Sequence, residues 1–187
     1  MEKSRPLTKR KSTALPKEFE MKKSMDTAEF TRQYHQSATS VFHYLYSRVN
    51  NIEDAEDLTS QTFLTAFEKI SNLRDPAKFK PWVFTIARNK ANDFFRKSQR
   101  HPNVALHEEI AQKDLHPNIV TPKDRDRLLD LTNLISDLHP KEQEVLRLRI
   151  VAQLPFAEIA SILQKPEARI KKRYYRLLDR LQVQLEN

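Results

Sequence analysis

Six residues between Trp82 and Arg96 have the types and the spacing to recognise a nucleotide base. At 100° per residue, Trp82, Thr85, Asn89, Asn92, Asp93 and Arg96 share one face of a helix, while Val83, Phe84, Ala87, Ala91, Phe94 and Phe95 fill a continuous apolar arc. Amides and hydroxyls hydrogen-bond base edges, an indole offers a stacking plane, and Arg96, Lys97 and Arg100 supply phosphate contacts. The mixture suits unpaired or extruded bases better than the edges of a closed duplex. The chain's one Trp fits two roles here, stacking on a base or packing on a neighbouring helix.

A second set lies near the C-terminus. Over residues 166–184 Ile170, Tyr174, Leu177, Leu178, Leu181 and Leu185 form an apolar arc, and Arg169, Lys172, Arg173, Arg176 and Arg180 gather opposite. Arginines on one arc contact phosphates and bind guanine O6 and N7 bidentately. A short helical segment at 155–163 and a tight turn precede this helix, which makes the pair a helix-turn-helix. Lys165 and Glu167 stand at its start, the end that enters the groove.

A third set is acidic. In the segment 52–71 the apolar arc holds Leu58, Phe63, Ala66, Phe67 and Ile70, and the opposite side carries Asp54, Asp57, Gln61, Thr65 and Glu68 around Leu64. Carboxylates repel phosphate, so a leucine framed by acids in a basic chain fits a protein-docking surface. A solvated acidic face with one surface leucine fits the same residues.

Composition limits the rest. With 33 Lys+Arg against 25 Asp+Glu, the net charge of +8 favours a polyanionic partner, nucleic acid or an acidic membrane face. No cysteine is present, which removes disulfides and thiolate zinc sites, and no glycine, which removes Gly-rich phosphate loops. His101, His107 and His116 are spaced unlike a compact metal motif, and the acids ride on outward helix faces without converging, so neither metal, cofactor nor catalysis is expected. No apolar run approaches the ~20 residues that span a bilayer and the N-terminus lacks an apolar signal core, so a cytoplasmic protein with no membrane insertion is expected.

The elements that must position these residues are all helical. Residues 1–26 read as a basic flexible tail. Helical period then runs over about 27–49, 52–71 and 81–98, with Asn50 and Asn51 separating the first two and Pro81 in a first turn. Residues 99–123 hold three prolines and read as a linker. Helices return at about 124–138, 140–152, 155–163 and 166–184, with Pro140, Pro155 and Pro166 each expected just inside a start. The fold class is all-α: two small helical modules, 27–98 and 124–187, on a flexible linker that leaves them mutually mobile.

Taken together, "DAEDLTSQTFLTAF", "LRDPAKFKPWVFTIARNKANDFFRK" and "AEIASILQKPEARIKKRYYRLLDRL" resemble regions 2.2, 2.3–2.4 and 4 of a bacterial sigma factor. The two-module plan is similar to the extracytoplasmic-function (group IV) branch of the sigma-70 family. The resemblance implies a region 2 three-helix bundle and a region 4 helix-turn-helix. It implies that Asp54, Asp57, Leu58, Gln61, Phe63, Leu64 and Phe67 dock on core RNA polymerase. It implies that Trp82, Thr85, Asn89, Asn92, Asp93, Arg96 and Arg100 open the −10 element and capture a non-template base. Lys165, Glu167, Arg169, Lys172, Arg173 and Arg176 would read the −35 element of promoter DNA. An anti-sigma factor is the further partner implied, for a protein that is a monomer when free.

The chain departs from the family pattern in four places. Ser60-Gln61 replaces Gln-Glu, Gln164 replaces a turn Gly, Pro155 replaces a Ser cap, and Ala168-Arg169 replaces Gly-Thr. The rival reading, an operator-binding regulator, explains the helix-turn-helix but gives the faces at 54–68 and 82–96 no purpose. A helical scaffold or inhibitory partner would leave the arginine arc superfluous.

Overall fold

The computed structural model describes residues 25–100, Ile135 and 138–185, and the secondary structure among them is helical. Most of the expected tail, the linker beyond Arg100 and most of the helix expected at 124–138 lie outside the described residues. In chain order the elements are α1 (Thr27–Val49), α2 (Ile52–Glu68), 3-10 turns at Ile70–Asn72 and Pro76–Lys78, and α3 (Phe79–Arg100). Then come α4 (Pro140–Leu146), a π-helical turn at Arg147–Val151, α5 (Phe156–Leu163) and α6 (Glu167–Leu185).

Capping chemistry places the first boundaries. Asp26, assigned above to the tail, caps α1 by accepting from the Glu29 N–H at 2.7 Å, and Met25 beside it is buried. Asn50 turns left-handed to close α1, and Asn51 opens α2 by accepting from the Asp54 N–H at 3.0 Å. Because the chain has no glycine, the left-handed positions among the described residues fall to Asn50, Gln153 and Gln164.

Some boundaries differ from the sequence expectation. α2 stops at Glu68, and α3 starts two residues before Pro81, which leaves that proline in the first turn, where its missing N–H costs nothing. Pro155 and Pro166 stand one residue outside their helices rather than inside. Their carbonyls accept from Ile159 and Ile170, which is the role of a capping residue. The helix expected over 140–152 gives way after Leu146 to the π-turn, in which the Ala152 N–H reaches the Arg147 carbonyl at 2.9 Å.

α1, α2 and α3 pack on one another as a three-helix bundle around Val41, Leu45, Leu58, Phe79 and Phe84. α5 and α6 form the helix-turn-helix, with α4 against α6. The two modules do not stand apart. α1 meets the π-turn and α3 lies on α5, and one continuous buried cluster runs from Val41 and Val83 through Leu148 and Leu154 to Ile159 and Ile170. A module of well under 100 residues buries a smaller fraction of its surface than a larger domain does, and docking enlarges the shared core. Each fully buried Leu or Ile contributes about 1.5–3 kcal/mol.

Candidate nucleic-acid and protein interfaces

The α3 face is held from beneath. Trp82 is half-buried, its ring 6.1 Å from that of Phe79, so it braces the first turn of α3 against the core. Half-buried Thr85 donates its hydroxyl to the Pro81 carbonyl at 2.9 Å. Asn89 is exposed one turn farther along. Asn92 is exposed and its Oδ1 accepts from Arg48 Nη2 at 2.9 Å. Asp93 and Arg96, also exposed, pair at 3.0 Å, while the Arg100 side chain lies outside the described residues.

The α2 face divides. Asp57, Gln61, Leu64 and Phe67 are exposed, Leu64 at 60% and Phe67 at 48%. Asp54 is half-buried in the first turn, and Leu58 and Phe63 are 5% exposed, inside the bundle. Phe67, placed by periodicity in the apolar arc, lies at its outer edge and meets Phe30 edge-on at 5.2 Å. Tyr34 of α1, which the sequence did not single out, stands edge-on to Phe63 at 4.7 Å and is exposed. Beside them a hollow of about 410 Å³ lies between α1 and α2, lined by Tyr34, Ala38, Phe42, Asp57 and Phe63. An apolar strip next to carboxylates is therefore accessible.

On α6 the buried side is Ile170 and Leu177, with Tyr174 and Leu181 half-buried and Leu178 exposed. Arg169, Lys172 and Arg176 are exposed and Arg173 is half-buried. Lys165 is exposed, and Glu167 pairs with Lys171 at 2.7 Å. Arg180, the last cation of the arc, is held by Glu142 of α4 at 2.8 Å, and that hydrogen bond draws the Glu142 carboxyl below its usual range. Gln164 keeps the tight turn despite its side chain. At φ 52° it closes α5 with the Lys165 N–H on the Ala160 carbonyl at 3.0 Å, the bond pattern a glycine makes more easily. Phe156 of α5 meets Tyr174 edge-on at 5.3 Å and lies 4.6 Å from the Arg149 guanidinium, which fixes the two helices together.

One cluster was not legible in the sequence. Glu144 of α4 accepts from the Tyr44 hydroxyl at 2.8 Å and pairs with Arg88 at 3.2 Å and Arg48 at 3.6 Å. Beside it Arg147 donates to the Ser47 carbonyl at 2.9 Å. Burial and then the Glu144 carboxylate push the Tyr44 phenol far above its ordinary range. Burial opposes the charge on Arg48, but Tyr44 and Glu144 outweigh it, whereas burial and then Arg48 lower Arg147. These partners lie up to 100 positions apart, so no local spacing announces them.

Residues 33–101 match the model for sigma-70 region 2 and residues 128–181 that for sigma-70 region 4. The chain is similar to the ECF RNA polymerase sigma factor BldN of Streptomyces coelicolor, with 32% identity over 92% of this chain and 66% of that protein. It is also similar to the ECF RNA polymerase sigma factor SigW of Bacillus subtilis, with 28% identity over 79% of this chain and 83% of that one. Thus it spans just under two-thirds of the length of BldN and more of SigW. Among solved structures, sigma factor RpoE of Bartonella quintana, in complex with the anti-sigma factor NepR, shares the fold. The TM-score is 0.65 at 24% identity, over 86% of this chain and 98% of that one.

Proposed function

The chain belongs to the sigma-70 family of RNA polymerase sigma factors, on its extracytoplasmic-function branch, and from that membership we propose how its surfaces divide the work of promoter-specific initiation. α2 docks on core polymerase. Leu64 and Phe67 supply the apolar contact, Asp57 and Gln61 the polar rim, and Asp54 completes the acidic end. Leu58 and Phe63 shape this face from within.

α3 opens the −10 element. Asn89 presents its amide to an unpaired non-template base, Trp82 and Thr85 hold the helix under it, and Arg96 and Arg100 meet phosphate. Asn92 and Asp93 complete the face. α6 reads the −35 element with Arg169, Lys172, Arg173 and Arg176, and Lys165 and Glu167 mark its leading end. The chain carries no catalytic role of its own and acts in the cytoplasm, where the polymerase is. A cytoplasmic anti-sigma domain is its regulatory partner, by analogy with the partner of the Bartonella protein.

The single observation that carries this division is the coexistence, on one chain, of an exposed leucine beside carboxylates and an exposed amide over a braced tryptophan. An operator-binding regulator needs neither. Retention of core polymerase without DNA tests it: a sigma factor is retained, and a regulator washes off.

A further inference from the structure

Arg48 of α1 and Asn92 of α3 meet across the three-helix bundle, and the chemistry of the pair fixes which way an amide points. Arg48 Nη2 donates to Asn92 Oδ1 at 2.9 Å. A guanidinium carries five N–H donors and no acceptor, so the amide atom facing it is the carbonyl oxygen. The reversed amide would set an NH2 group against a guanidinium, donor against donor.

Arg48 is itself held. Its Nη1 donates to the Tyr44 hydroxyl at 3.2 Å, and its guanidinium lies 5.8 Å from the Phe95 ring and 5.9 Å from the Tyr44 ring. The side chain is 12% exposed. Tyr44 and Phe95 belong to the same bundle as Asn92, so the arm that reaches the amide is braced within that module. Glu144 of α4 adds an ion pair at 3.6 Å. Packing has already removed most of the Arg48 rotamer freedom, so holding the amide costs little further entropy.

Asn92 is exposed, on the face of α3 that carries Asn89 and Arg96. With its oxygen turned to Arg48, the group it offers outward is the NH2, and none of the described residues accepts from it. An unrestrained asparagine pairs bidentately with adenine, accepting from N6 and donating to N7. That pairing needs the oxygen and the nitrogen together. A donor alone suits the bases whose exocyclic atom accepts, guanine through O6 and thymine through O4, and meets a rival donor at adenine N6 or cytosine N4.

We propose that Arg48, which lies outside every surface assigned above, is a specificity-positioning residue: it holds Asn92 as a donor, and Asn92 thereby selects guanine or thymine over adenine at one position of the −10 element. The inference rests on the −10 role given above to α3. Arg48 acts through Asn92 and not on the base.

The test uses core polymerase with the full chain, on a promoter mapped by run-off transcription and randomised across its −10 element. Open complexes that survive a polyanion competitor are recovered and their DNA is sequenced, for wild type, Asn92→Ala, Asn92→Asp and Arg48→Met. Base ratios are compared within each protein, so a uniform loss of activity cancels. Wild type is expected to favour guanine or thymine at one position, and Asn92→Ala to weaken that preference about five- to tenfold, the worth of one hydrogen bond. Asn92→Asp keeps an oxygen on Arg48 but turns a second oxygen outward, and is expected to favour adenine or cytosine there instead. Arg48→Met frees the amide to pair with adenine, and is expected to raise the adenine share by a similar factor. If Arg48→Met fails to fold, Asn92→Asp decides, because that side chain is exposed. Folded Arg48→Met with wild-type base ratios, whatever its overall rate, overturns the proposal. So does Asn92→Ala or Asn92→Asp with wild-type ratios at every position. Polymerase retention is scored on the same samples: a wild type that neither retains core polymerase nor opens a promoter overturns the function assigned above as well.

Discussion

The hydroxyl of Tyr44 lies 2.8 Å from the Glu144 carboxylate, and the bond joins two modules whose residues here are 100 positions apart. Its consequence for pH follows from the phenol's displacement upward. An unfolded chain releases this proton near pH 10, whereas the folded chain retains it. The unfolded state therefore binds fewer protons at high pH, and the contribution of Tyr44 is whole below about pH 10 and declines as pH rises beyond it. Thermal melts from pH 8 to 11.5 should show a decline that Tyr44→Phe makes shallower. At pH 8 that variant should also lose about 2 kcal/mol, as expected for a hydrogen bond to a charged acceptor. Equal slopes in the two proteins would contradict the upward displacement of the buried phenol.

Gln164 should be a site of mild backbone strain, because it takes the left-handed conformation without being glycine. Gln164→Gly relieves that strain and adds disorder to the unfolded chain, for a net gain of about 0.5 kcal/mol. Chemical denaturation midpoints check it. A midpoint that falls would show that the Gln164 side chain stabilises the turn in some other way.

The core-docking face should be separable from folding. Leu64 is exposed, so Leu64→Asp should leave the melting free energy within about 0.5 kcal/mol of wild type while polymerase retention drops at least about tenfold. Asp57→Arg should act the same way. Leu58→Asp, by contrast, places a charge in the core and should unfold the bundle. Retention assays beside melting curves distinguish the two. Wild-type retention by Leu64→Asp would place docking elsewhere.

The −35 surface should be strongly salt dependent. Arg169, Lys172, Arg173 and Arg176 meeting phosphate predict a log–log slope of binding against salt near −3.6. Arg176→Ala should reduce the slope by about one, or relax base preference if its partner is guanine. Arg180→Ala should change the slope little, because Glu142 already holds that guanidinium. Binding titrations between 50 and 300 mM salt measure all three, and a flat response would remove the basic face from DNA recognition.

How much of this was legible in the sequence differs from element to element. The 3.6-residue period located α1, α2, α3 and the helix-turn-helix, because each has one apolar stripe and one polar face. Leu64 lay outside the stripe and is exposed. The period could not place Phe67, whose angle falls at the edge of the arc, where burial depends on what α1 presents opposite. Nor could it resolve the role of Trp82, which packs against Phe79 because α3 begins two residues earlier than Pro81 suggested. The docking of the modules was hidden for a physical reason. Tyr44, Arg48, Arg88 and Glu144 each look like ordinary polar residues of amphipathic helices, and only tertiary packing brings them together. The prolines and polarity of 99–123 suggested independent modules, but a linker's composition carries no information about whether the surfaces it joins are sticky.

Asn89 carries the central claim, that α3 captures a base from an opened −10 element. Its amide is exposed one turn beyond Thr85, on a helix braced by Trp82 and Phe79. The most direct measurement is permanganate footprinting of the −10 region with core polymerase and either wild-type or Asn89→Ala protein, polymerase retention being confirmed for both. Losing one specific hydrogen-bond pair costs roughly 1–3 kcal/mol, so the variant should give about 5- to 150-fold less open complex, with incomplete rescue on a pre-melted template. Wild-type reactivity from Asn89→Ala would contradict it.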